Sequence, residues 1–105
     1  MAVLLGAIKN DDREKVREVI LFAENDSRLY DILLNVYLPN LKKKVKAGKY
    51  DSKKAVKLLE YYYQNYVRPA MKNPRNYGFD PRLNPSEREM FASYFVNELE
   101  DNYLY

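Results

Sequence analysis

Apolar side chains recur along this chain at intervals of three and four residues, and no stretch alternates for long with a period of two. Four helices follow from that pattern, near residues 11–24, 28–47, 52–67 and 86–102. In the first, Val16, Val19, Ile20 and Ala23 share a face while Arg13, Arg17 and Glu24 point away. Asp11 is the expected cap, with Glu14 three residues on as an acidic form of the capping box. Asn25-Asp26-Ser27 stops the pattern and supplies the cap of the second helix, whose stripe is Leu29, Ile32, Leu33 and Val36. Pro39 has no amide proton and crowds the turn before it, so a kink or break is expected there. The helix resumes over 41–47 and ends at Gly48, a residue suited to the left-handed conformation of a helix stop.

Asp51 or Ser52 can cap the third helix. This helix is apolar on more than one side, with Ala55, Leu59, Tyr62 and Tyr66 in one stripe and Val56, Tyr63 and Val67 in the next. Such breadth predicts a central position. Tyr62 and Tyr66 read as core residues, while Tyr61 and Tyr63 stay open between core and surface. Residues 68–85 change character, holding Pro69, Pro74, Pro81 and Pro85 together with Gly78. A long loop is expected there, pinned to the core by Tyr77, Phe79 and Leu83. The last helix opens with Pro85-Ser86-Glu87-Arg88-Glu89, read as a capping box of Ser86 and Glu89, and continues in the stripe Phe91, Tyr94, Phe95 and Leu99. The expected fold is all-α: one domain over 1–105, a small orthogonal or irregular four-helix bundle with a proline-rich loop before its last helix.

A chain of 105 residues has room for one core. It has neither cysteine nor histidine, which removes disulfides, the usual zinc ligand sets, thiol nucleophiles and histidine general bases. Three isolated glycines cannot build a phosphate loop, and no acidic loop has calcium-binding spacing. Neither an enzyme nor a metal or other cofactor is expected. The apolar opening Met1-Ala2-Val3-Leu4-Leu5-Gly6-Ala7-Ile8 has no basic stretch before it and is far short of the roughly 20 residues of a membrane span. It is expected to pack on the domain, with no membrane partner and a cytoplasmic location.

Charge is polarised rather than uniform. Residues 42–57 hold eight lysines against Asp51 alone, and residues 86–105 hold five carboxylates against Arg88. The lysine segment can meet phosphates, because cation clusters drive non-specific nucleic-acid binding through counterion release. Its structural alternative is a solvated face whose lysines suit the negative end of a helix dipole. A packed acidic last helix would neutralise it. Eleven tyrosines, with Tyr61, Tyr62, Tyr63 and Tyr66 close together, are the second candidate. Tyrosine favours protein interfaces and also stacks on unpaired bases. Glu87, Glu89, Glu98 and Asp101 read as helix-surface carboxylates with solubilising roles.

The run Leu41-Lys42-Lys43-Lys44-Val45-Lys46-Ala47-Gly48-Lys49-Tyr50-Asp51-Ser52-Lys53-Lys54-Ala55-Val56-Lys57-Leu58-Leu59-Glu60-Tyr61 resembles a pattern in small phage and prophage proteins. It combines a basic helix, a Gly-x-Tyr-Asp turn and an Ala-Val-Lys-Leu helix carrying an aromatic. Pro85-Ser86-Glu87-Arg88-Glu89 and the acidic end match the capped terminal helix of that layout, so the resemblance extends from Leu41 onward. It implies a small helical fold and a viral origin, hence the cytoplasm of an infected or lysogenic bacterium. It implies no activity.

Two readings follow. In the first, a binding module contacts nucleic-acid phosphates through Lys42, Lys43, Lys46, Lys49, Lys53 and Lys57, with Tyr50 beside them. In the second, a host or phage protein, or a second copy of the chain, is bound through Tyr61, Tyr63, Tyr77 and Phe79. A structural virion component is a third, weaker class.

Overall fold

The computed structural model describes residues 10–71 and 82–104. The segment 1–8, Tyr77 and Phe79 lie outside the described residues. The protein is all-α, with four helices and no strand among the described residues. Helix α1 is Asn10–Asn25, so Asp11 falls inside it rather than ahead of it as a cap. Helix α2 spans 27–46, α3 spans 52–70 and α4 spans 85–104. No helix among the described residues is long and apolar enough to cross a membrane.

Local signals set most of the helix ends. The Asp26 carboxylate accepts from the amides of Arg28 and Leu29, both at 3.0 Å, and starts α2. Asp51, not Ser52, caps α3, accepting from the Lys53 amide at 2.9 Å. Helix α2 ends in a Schellman turn: the Lys49 amide donates to Lys44 O and the Gly48 amide to Val45 O, with Gly48 at φ +70°. A Cβ at Gly48 would meet nothing within 4 Å, so only the backbone conformation opposes a side chain. Gly48→Ala should therefore cost about 1–2 kcal/mol, the left-handed penalty of an L-residue, and Gly48→Asn less. Urea midpoints of the two variants test this, and equal midpoints would contradict it.

The cap of α4 corrects the reading of its sequence. Asn84, not Ser86, begins the helix. Its carboxamide oxygen accepts from the Glu87 amide, and the Glu87 carboxylate accepts from the Asn84 amide, each at 2.8 Å. Two overlapping capping boxes are written here, and Pro85 selects the earlier one, because its fixed φ and missing amide suit the first helical position. Glu87 is thereby drawn inside. It is buried, not on the surface, and its carboxylate also lies 3.4 Å from Lys15 Nζ on α1.

No break occurs at Pro39. Helix α2 passes through it by way of a π turn at Leu33–Tyr37, closed by the Leu38 amide on Leu33 O. The same device recurs at Tyr63–Val67 in α3, where the Arg68 amide reaches Tyr63 O and Pro69 follows. In both cases proline stands two residues past a widened turn. A proline clashes with the carbonyl four residues back, and a turn bonded five residues back relieves that crowding. Helix α3 consequently runs on to Ala70, into the segment expected to be loop.

The π turns also shift the apolar face by one residue. Leu33 and Leu38, Tyr62 and Val67, and Leu99 and Leu104 are each five apart and all buried; the third pair bridges the π turn Glu100–Leu104. On an uninterrupted α-helix, positions five apart would diverge. The same slip carries Val36 and Tyr66 outward, to 55% and 39% exposure, while Tyr63, four residues past the buried Leu59 and ahead of the slip, is fully inside. The placement of Tyr66 in the core is corrected by this change of register, and the inclusion of Tyr63 in a surface interface by its burial on the regular face of α3.

Helix α4 packs against α1 and α3, and its final turn reaches α2. The centre is thus shared by α3 and α4 rather than held by α3 alone. Tyr62 occupies the meeting point, its ring centroid 5.3 Å from that of Tyr37 on α2 and 6.1 Å from that of Phe95 on α4. Its hydroxyl donates to Leu29 O at 2.8 Å. The buried Tyr63 ring stands edge-on to Phe91, and its hydroxyl accepts from the Leu83 amide at 2.9 Å, holding the chain just before α4.

Candidate nucleic-acid interface

All eight lysines between residues 42 and 57 are exposed, but helix geometry sorts them. At about 100° per residue, Lys44 flanks the buried Leu41 on one side of α2, Lys42 lies on the other, and Lys43 and Lys46 face away. On α3, Lys54, Leu58 and Tyr61 follow one another at i, i+4 and i+7 along the flank toward α2. Lys53 and Lys57, four residues apart and so on one face of α3, both line a groove toward α4 with Glu60, Arg88 and Glu89, and Lys57 borders the α2 side as well. The Schellman turn folds the backbone of Lys49 back onto Lys44 O, within 2.9 Å.

These directions converge on a small cleft between α2 and α3, about 160 Å³ in volume. Lys44, Lys49, Lys54 and Lys57 surround it, with Leu58 in its wall and the Tyr61 ring along one side. An adjoining open groove past Pro39 and Asn40 adds Lys43 to Lys44 and Lys49. Of the residues singled out from the sequence, Lys49, Lys57 and Tyr50 line the cleft and Lys43 lies next to it. Lys42, Lys46 and Lys53 are directed elsewhere. Lys44, Lys54 and Tyr61 join the cleft without having been assigned to the basic set. The signal for Lys54 was its spacing ahead of Leu58 and Tyr61, readable only once the buried face of α3 is known.

The acidic end of the chain comes close to this face. Glu100, in the last turn of α4, accepts from the Tyr50 hydroxyl and from Ser52 Oγ, both at 2.6 Å. Its partners are neutral hydroxyls. Tyr50 is accordingly a half-buried tie between the α2–α3 turn and α4, with its hydroxyl engaged. Among the described residues the ion pair is Lys15–Glu87, and none of the eight lysines takes part in one. Asp51 is the carboxylate that lines the cleft, and it is engaged as the cap of α3.

Tyr61 is the most exposed of the large apolar side chains described, at 62%. A second concavity runs between α1 and α4, with a volume of about 750 Å³ and an apolar floor of Val16, Ile20, Met90 and Tyr94, edged by the exposed Leu21. The Tyr94 hydroxyl donates to Glu24 across its end at 2.8 Å. Among the described residues no group of three acidic side chains is arranged to hold a metal ion. No family model, curated protein or solved structure matches the chain.

Proposed function

We propose that the protein is a non-enzymatic nucleic-acid-binding module that grips phosphates on the face between α2 and α3, and that it acts in the cytoplasm of a bacterium carrying a phage. The observation that supports this reading is the gathering of Lys44, Lys49, Lys54 and Lys57 around one cleft with no ion pair to any of them among the described residues. Uncompensated ammonium groups at such spacing attract a chain of phosphates and release its condensed counterions.

Binding of labelled oligonucleotides, followed by fluorescence anisotropy across a salt series, tests the reading. Four phosphate contacts give a log–log slope of about −3 in salt, with little dependence on sequence. Lys44→Glu/Lys49→Glu/Lys54→Glu should reduce affinity more than a hundredfold while leaving helicity unchanged, since all three positions are exposed and lysine and glutamate have similar helix propensity. Absence of binding to single- and double-stranded DNA and RNA at low salt would overturn it. The apolar groove between α1 and α4 would then favour the second reading, a module for a protein partner or a second copy of the chain.

A further inference from the structure

We infer that the strand bound on this face is single-stranded, with an unpaired base stacked on Tyr61 and its flanking phosphates held by Lys44, Lys49, Lys54 and Lys57; the inference rests on the phosphate-binding reading above. The starting observation is the contrast among three neighbouring tyrosines of α3. Tyr62 and Tyr63 are fully buried, with ring contacts and hydroxyl hydrogen bonds that account for them. Tyr61 is 62% exposed and stands beside the basic cleft. Most of this residue is open to solvent and available to a partner.

Its position gives it a use. Lys54, Leu58 and Tyr61 form one line along α3, so the ring stands at the end of a row that begins with a cation. Lys44 and Lys49 face that row from the other wall, fixed relative to each other by the Schellman turn. The cleft between is about 160 Å³, below the roughly 300–1,000 Å³ typical of ligand pockets. A single ring system fits a cleft of this size, and the open groove past Pro39 extends the same basic face. A duplex keeps its bases stacked inside and would meet these lysines with its backbone alone, leaving Tyr61 without a partner. An unpaired strand offers both groups at once: phosphates for the lysines and a π face for the ring, the combination that single-strand binders use. Asp51 in the cleft wall and Glu100, bonded to Tyr50 beside it, repel a phosphate, but these two carboxylates stand against four ammonium groups.

The test uses the full chain and one mixed-sequence oligonucleotide of about 16 nucleotides, the upper end of the site size of single-strand binding folds, presented alone and as its duplex. Single strand should bind at least tenfold more tightly. Tyr61→Leu should weaken the single strand by about 5- to 100-fold, the usual effect of losing one stacked base, and leave duplex binding unchanged. Tyr61→Phe, which keeps the π face, should bind nearly as the parent does. Circular dichroism of all three chains should coincide, because the side chain is exposed. Equal affinity for strand and duplex, or a Tyr61→Leu chain that binds the strand undiminished, would overturn the inference while the lysine variant still upholds phosphate binding. So would a Tyr61→Leu effect of equal size on both forms, since the ring would then merely shape the surface. If neither form binds the parent chain, the phosphate-binding reading itself fails and this inference falls with it.

Discussion

Tyr62→Ala should abolish a stable fold or lower the melting temperature by roughly 15–30 °C, as expected for a loss of about 3–5 kcal/mol in a domain of this size. Tyr62 is fully buried where α2, α3 and α4 meet, and its ring touches those of Tyr37, Phe91 and Phe95. Truncation leaves a cavity bounded by three helices, none of which can close it without leaving the others. Small domains hold only about 5–15 kcal/mol in total, so the loss is a large share. Tyr62→Phe separates the ring from the hydroxyl. Leu29 O keeps the helical amide of Leu33 as a donor, so losing the phenolic bond should cost only about 0.5–1.5 kcal/mol. Tyr66→Ala, at a site 39% exposed, is the control. Urea unfolding of the three variants decides the matter: a Tyr62→Ala midpoint no lower than that of Tyr66→Ala would show that the core is centred elsewhere.

Stability should fall steeply above about pH 10, because phenols of the folded core resist ionisation. Burial, then the charge of Tyr37 and of Asp26, pushes Tyr62 far above the ordinary tyrosine value. Burial and the hydrogen bond to Glu24 raise Tyr94 to about 12. Below pH 10 both states hold these protons and no dependence arises. Above it the unfolded chain releases them while the folded chain retains them, so stability declines with pH. For Tyr62 the slope is about 1.4 kcal/mol per pH unit. The contribution of the partly exposed Tyr94 is smaller, being screened by solvent. Melting temperatures at pH 8, 10, 11 and 12 for the parent and for Tyr62→Phe provide the measurement. The parent curve should be steeper than that of the variant above pH 10, and parallel curves would contradict the assignment to Tyr62.

Much of the fold was legible locally. A cap within Asn25-Asp26-Ser27, one at Asp51 or Ser52, Gly48 as the left-handed stop and most of the four helical stripes depend on interactions within one turn of chain, which the order of residues states directly. The same locality explains the error at α4. Asn84 with Glu87 and Ser86 with Glu89 are both acceptable boxes, and only the preference of Pro85 for the first helical position separates them. Exposure of the lysine segment was legible too, since its charge density leaves it no place in a core.

What the linear pattern did not carry is rotation about the helix axis. A π turn inserts the equivalent of one residue into the face, and three of them move Val67, Leu38 and Leu104 inward and Val36 and Tyr66 outward. Each helix accepts that slip because packing against its neighbours rewards the new face, a reward invisible to a periodicity taken one helix at a time. The grouping of Lys44, Lys49, Lys54 and Lys57 around one cleft follows from the same source. The sequence by itself determined that this is a helical protein with a solvated cationic segment, because propensity, capping and charge act over a few residues. Only the tertiary structure decided which lysines meet and which tyrosine remains in water, because those outcomes depend on how α2 and α3 are turned toward each other, and long-range burial sets that angle.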